Sequence, residues 1–102
     1  MTRAIDLSQA EQAIVREILR AHLPPGTRAW VFGSRATASA RRFSDLDLAV
    51  EGEKPLSPDV MGDIAEALSE SDLPYKVDVI DLRAVEPAFR ALIDPDMIAL
   101  AF

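Results

Sequence analysis

The residues best placed to do chemistry are Asp45 and Asp47, which alternate with Leu46 and Leu48 and follow Gly33-Ser34 across the gap of residues 35 to 44. In an extended strand each residue advances roughly 3.3 Å and alternate side chains share a face. Two carboxylates so spaced emerge side by side, about 6 to 7 Å apart at their backbones. Leu46, Leu48 and Val50 then point the other way, into a core. Carboxylates that close repel each other, and the repulsion is relieved by proton uptake or by a hard cation such as Mg2+. Upstream, in Trp30-Val31-Phe32-Gly33-Ser34-Arg35-Ala36, a glycine at a strand end lets backbone approach a ligand. A serine at the first turn of a helix presents a hydroxyl and free N–H groups to phosphate oxygens. The compound feature joins a phosphate cradle to a divalent-metal site.

Composition narrows the alternatives. The chain has no cysteine and one histidine, His22, which removes disulfides, thiolate sites and histidine-built zinc sites, so any metal must be held by oxygen. A net charge of -6 argues against general affinity for nucleic acid, which comes chiefly from Lys and Arg displacing counterions. Charge is uneven along the chain, however. Residues 18 to 44 contain no acid, yet Arg20, Arg28, Arg35, Arg41 and Arg42 fall there, immediately before the aspartate pair. That arrangement suits phosphates beside a metal, although any one of these arginines also reads as an ordinary solvated side chain. No apolar run approaches the ~20 residues of a membrane span, and Arg3 and Asp6 interrupt the short apolar start, which points to a cytoplasmic protein. With 102 residues, 49% of them hydrophobic, one globular domain over 1–102 is expected.

The elements that must position these residues follow from local signals. Ser8 with Glu11 reads as a capping box for a helix over 8–22, its apolar stripe being Ala10, Ile14, Ile18 and Leu19, stopped by Pro24-Pro25-Gly26. Ala29 to Phe32 reads as a buried strand feeding a tight turn at Gly33, after which Ser34 caps a short helix through Ala40. Asp45 to Val50 forms the second strand. Ser57 and Pro58 start a helix to about Ser71 with Met61, Ile64, Ala65 and Leu68 as its buried stripe. Tyr75 to Leu82 is a third strand and Pro87 to Ile93 a brief helix. Met97 to Phe102 suits a last short strand or a helical tail. The order predicts an α/β (α+β) fold, a small mixed sheet with helices packed on it.

Gly-Ser, a fixed gap and then Asp-apolar-Asp-apolar resembles the nucleotidyltransferase signature of the DNA polymerase β superfamily. The match reads Val31-Phe32-Gly33-Ser34-Arg35-Ala36 and Ser44-Asp45-Leu46-Asp47-Leu48-Ala49-Val50. Small size and Gly-Ser-Arg-Ala resemble the minimal nucleotidyltransferases, often encoded beside a helical HEPN toxin and acting as its antitoxin. The resemblance implies a nucleotidyltransferase fold, ATP as substrate, and two Mg2+ ions held by Asp45, Asp47 and a third carboxylate on a following strand. In Lys76-Val77-Asp78-Val79-Ile80-Asp81 that third acid is Asp78, flanked by apolar residues, while Asp81, of opposite parity, reads as a turn or capping residue. An acid in so hydrophobic a strand is costly unless paired, hydrogen bonded or coordinating metal. Its alternative is an edge-strand acid facing water.

By the same resemblance Asp45, Asp47 and Asp78 are catalytic, and Gly33 and Ser34 contact the β- or γ-phosphate, with Arg35 and Arg42 as further phosphate contacts. The chain lacks the helical acceptor domain of larger superfamily members, so the acceptor is a partner's or a second copy's. Transfer of AMP to a hydroxyl of a HEPN-type partner is the leading reading. A silent antitoxin or nucleotide-binding module acting by occlusion is the alternative, and a structural domain with fortuitous carboxylates the third. Trp30 and Met61 read as core residues and His22 as a complement to a helix dipole. The leading reading requires Asp78 to share a face with the aspartate pair.

Overall fold

The computed structural model describes residues 4–102. Helix α1 (Gln9–His22) begins as its sequence dictates: the Ser8 hydroxyl accepts the Glu11 N–H at 3.1 Å and the Glu11 carboxylate accepts the Ser8 N–H at 2.9 Å. Such a cap is worth about 1 kcal/mol. Strand β1 (Arg28–Phe32) follows the Pro24-Pro25-Gly26 turn and runs into a single 3-10 turn, Gly33–Arg35. Next come β2 (Leu46–Glu51), α2 (Pro58–Ser69), β3 (Val77–Asp81), α3 (Pro87–Ile93) and β4 (Ile98–Ala99). Ser57 caps α2 by accepting the Val60 N–H at 3.2 Å.

The sheet order is β3-β2-β1-β4. β1 is antiparallel to both β2 and β4, whereas β2 and β3 are parallel and therefore need a crossover, which α2 supplies. Alternation sorts the side chains of the sheet onto two unlike faces. Ala29, Val31, Leu46, Leu48 and Val50 meet Val15 and Leu19 of α1 and Ile64 and Leu68 of α2 in the main core. Burying each large side chain there contributes about 1.5–3 kcal/mol. The other face carries a thinner cluster of Phe32, Ala49, Leu82 and Ile93, with Trp30 and Ile80 against it. Helix α3 covers this side, with Val85 and Met97 packed beside it, and is held by the 2.7 Å ion pair of Arg90 with Glu51 and by the edge of Phe89 on the Phe32 ring, 6.4 Å between centroids. Trp30 is thus a half-buried core residue, and Met61 packs against the main core.

Three expectations need correction. The helix expected from Ser34 to Ala40 is only the 3-10 turn. Its continuation is diverted because the Thr37 hydroxyl bonds back to the Gly33 carbonyl at 3.3 Å and Ala38 adopts φ 60°, outside the helical region. In α1 the stripe includes Val15, fully buried, while Ala10 is exposed; Ala65 of α2 likewise faces solvent. The strands are also shorter than expected. β2 begins after Asp45, β3 spans five residues, and the tail is a two-residue strand rather than a helix.

Candidate active site

β2 is the central element. Leu46, Leu48 and Val50 are buried on the main-core side, which turns Asp47 to the thinly covered face, with Asp45 two residues upstream on the approach. The parallel register sets Asp78 of β3 directly beside Asp47, and the antiparallel register sets Phe32, the residue before Gly33, on its other flank. The three carboxylates are close enough to feel one another. Burial, reinforced by the charges of Asp78 and then Asp45, raises the Asp47 carboxyl above the ordinary aspartate value.

Gly33 completes this corner. It lies in the left-handed region at φ 74°, and a Cβ placed on it would collide with Asp47 Oδ2. Backbone and carboxylate therefore approach as closely as they do only because residue 33 has no side chain. Ser34 is half-buried at the middle of the 3-10 turn, and its carbonyl accepts the Ser39 N–H at 3.1 Å. Arg42 is exposed on the loop before Asp45, with its guanidinium 5.1 Å from the Phe43 ring centroid.

Arg35 sits elsewhere in the logic of the site. It is 5% exposed, and its guanidinium donates to the carbonyls of Ser44 (2.9 and 3.1 Å), Asp6 (3.0 Å) and Arg42 (3.2 Å) while lying 3.9 Å over the Tyr75 ring. Burial pushes the Tyr75 phenol up to about 12, so the ring stays a neutral partner. Arg35, expected as a further phosphate contact, ties the turn after Gly33 to the peptide preceding Asp45 and, through Tyr75, to the approach to β3. Asp81 is a capping residue, its carboxylate accepting the Leu56 N–H at 2.8 Å and the Arg83 N–H at 2.9 Å.

One cation on the acidic face was not anticipated. Lys76 Nζ lies 3.6 Å from Asp78 Oδ1. The alternation that groups Asp45 with Asp47 also groups Lys76 with Asp78, and that spacing is its signal in the sequence. Among the described residues no three acidic or histidine side chains are already gathered into a metal-ligating set. The carboxylates lie as neighbours, with Asp78 leaning on Lys76. A cleft of about 600 Å3, lined in part by Arg20, Leu23, Trp30 and Phe102, lies apart from Asp45, Asp47 and Asp78.

The raised carboxyl has a measurable consequence for stability. Folded Asp47 binds its proton more readily than the unfolded chain does, so its ionised form weakens the fold at neutral pH and the penalty disappears as pH falls through the folded value. Asp47→Asn is expected to raise Tm at neutral pH and to lose that advantage in acid below the ordinary carboxylate range. Melts at both conditions check this; an equal gain at both would locate the effect in packing instead of charge.

Residues 14–98 match the family described as Polymerase beta, Nucleotidyltransferase. The chain belongs to that nucleotidyltransferase family, and its mixed sheet with three helices is the fold its structural neighbours share. Among individual proteins it is 43% identical over 89 residues to the probable protein adenylyltransferase MntA of Haemophilus influenzae, a span of 87% of this chain and 77% of that protein. It is similar to a chain of a crystallised toxin-antitoxin with AMP-PNP, with a TM-score of 0.76 and 26% identity over 88% of this chain and 72% of the other. A complex of tri-AMPylated Shewanella oneidensis HEPN toxin with MNT antitoxin shares the fold at a TM-score of 0.70, 22% identity, 93% of this chain and 72% of that one. No described helix is long and apolar enough to cross a membrane.

Proposed function

We propose that this domain transfers AMP from ATP to a hydroxyl of a HEPN-type protein, and that the modification is how it acts as an antitoxin in the cytoplasm. The observation that carries the reading is the meeting of Asp45, Asp47 and Asp78 on one face beside Gly33. Its support is the similarity to a protein named as an adenylyltransferase and to an antitoxin bound to an AMPylated HEPN toxin.

The residues fit Mg2+. The donors are hard oxygens; burial, with the charges of Asp78 and Asp45 added to it, raises Asp47, and a divalent cation relieves both the desolvation and the repulsion. Asp45 and Asp47 would hold one ion and Asp78 would complete a second position. Bound there, Mg2+ supplies charge neutralisation at the triphosphate, at both the attacking and the leaving oxygen. The protein's own part is positioning and electrostatics. Ser34 and the backbone following Gly33 hold the β- or γ-phosphate, and the exposed Arg42 adds a mobile positive charge. Asp78, on the edge strand, accepts the proton of the acceptor hydroxyl as its oxygen bonds to the α-phosphorus. The bond from that phosphorus to the bridging oxygen breaks and pyrophosphate leaves. The acceptor is delivered by the partner.

The test incubates the protein with ATP labelled at the α-phosphorus, Mg2+ and the product of the adjacent gene. Label is expected on that protein, and Asp45→Asn is expected to lower transfer by at least about a hundredfold with an unchanged circular dichroism spectrum. Absence of label from the neighbour and from any other acceptor overturns the proposal. Full neutralisation of the toxin by an Asp45→Asn, Asp47→Asn double variant would establish occlusion in its place.

A further inference from the structure

The acidic face also holds a lysine, Lys76. Lys76 is one of two lysines in the chain, the other being Lys54 in the loop after β2. It lies two residues before Asp78, and the β2–β3 ladder opens with Leu46 beside Val77, so Asp45 and Lys76 each stand one residue ahead of its first pair. The backbone enforces that placement, since the Leu46 N–H donates to the Lys76 carbonyl at 2.9 Å. The backbone of Lys76 is thus fixed beside the acidic face, while its ammonium is exposed. Nζ stands 3.6 Å from Asp78 Oδ1, with the two side chains 72% and 47% exposed. An exposed pair of that kind is weak, so it breaks readily when a better partner arrives. With Arg35 donating to carbonyls, a positive charge that meets phosphate is best supplied by side chains that are free to turn, and Lys76 is one, its stem rising from the residue just before β3.

We propose that Lys76 is a triphosphate-binding residue that works by exchange: it neutralises Asp78 while no nucleotide is present and passes its ammonium to phosphate oxygens when the metal-bearing triphosphate enters. The inference rests on the reading of the three aspartates as the metal site. Exchange follows from charge. A cation paired with Asp78 screens the acids from one another in the free protein, and it competes with metal for the same oxygen. An incoming triphosphate offers that cation a more strongly charged partner within the sweep of its four-carbon stem. Lys76 would bind substrate directly and would also keep a metal ion from settling firmly before the nucleotide is in place.

Lys76→Met keeps the stem and removes the charge at an exposed position, and two binding measurements then separate exchange from damage. Mn2+ titrated into the nucleotide-free variant, followed by electron paramagnetic resonance, is expected to bind roughly two- to fivefold more tightly than to the parent, because its competitor is gone. AMP-PNP in saturating Mg2+, measured by calorimetry, is expected to bind about tenfold more weakly, and Lys76→Arg should restore both affinities in large part. Weakening of both ligands together, no change in either, or movement of only one overturns the exchange. Asp45→Asn is the control for the underlying site. If Mn2+ binding and AMP transfer survive that substitution, the metal-site reading itself has failed, a result distinct from failure of Lys76 alone.

Discussion

A single methyl group at residue 33 is expected to lower AMP transfer by at least about a hundredfold while leaving most of the fold's stability intact. Gly33→Ala forces a side chain into φ 74° and sets its Cβ against Asp47 Oδ2. The left-handed backbone alone costs roughly 1–2 kcal/mol. The clash is with the end of a short side chain, so the chain escapes it by turning the Asp47 carboxylate away, and the turn removes the central oxygen donor from the site. Gly62→Ala is the matched control. It lies within α2 with nothing within 4 Å of the added Cβ, and replacing a mid-helix glycine is expected to stabilise by roughly 0.5–1 kcal/mol with transfer unchanged. Transfer rates and thermal melts of the two variants decide the matter, and an active Gly33→Ala protein would show that the approach of backbone to carboxylate is dispensable.

Arg35→Met should give the largest loss of stability of any arginine substitution in the chain. Four hydrogen bonds disappear, and the carbonyls of Asp6, Arg42 and Ser44 lose a buried charged donor. Bonds to charged groups contribute about 1.5–3 kcal/mol each when one partner is removed, and solvent reaching the loop carbonyls recovers part of this. A net loss of about 2–4 kcal/mol is expected, which for a domain of this size lowers Tm on the order of 10–20 °C. Arg35→Lys should recover little, because an ammonium cannot fork to three carbonyls and lie flat on Tyr75 at once. Urea melts measure the difference. A loss below about 1 kcal/mol would return Arg35 to the set of free cations able to meet a phosphate.

What could be read ahead of the fold was local or periodic, and what could not depended on residues distant in sequence or on a competing local hydrogen bond. Asp45, Asp47 and Asp78 could be grouped because strand period is rigid: apolar residues at 46, 48, 77 and 79 leave the acids one face to occupy. Ser8 with Glu11, and Ser57 with Pro58, announced helix starts because capping is a contact between residues near in sequence. Arg35 carries no such local signal. Its partners, Asp6, Ser44 and Tyr75, are distant along the chain, and only the folded structure shows that its charge is spent on backbone. The stretch after it read as helical because Ser34 suits a helix cap, yet the hydroxyl of Thr37 and the left-handed Ala38 prevailed locally. Lys76 was visible through the same alternation as Asp78, but a charge at the start of a strand reads as solvated unless the register of the neighbouring strand is known.

That register carries a hazard of its own. A slip of β3 against β2 by two residues would keep every hydrophobic side chain on its proper side, and so would go almost unnoticed by the core, yet it would bring Lys76 or Ile80 alongside Asp47 where Asp78 now stands. Sliding errors of that size are guarded against at the margins rather than in the middle: Leu46 N–H on the Lys76 carbonyl at one end, Leu82 N–H on the Val50 carbonyl at the other, and Asp81 bolted to Leu56 and Arg83. Fidelity of alignment in this small sheet is therefore a matter of its fasteners, and loosening Asp81 would yield a well-packed protein with the wrong residue in the decisive place.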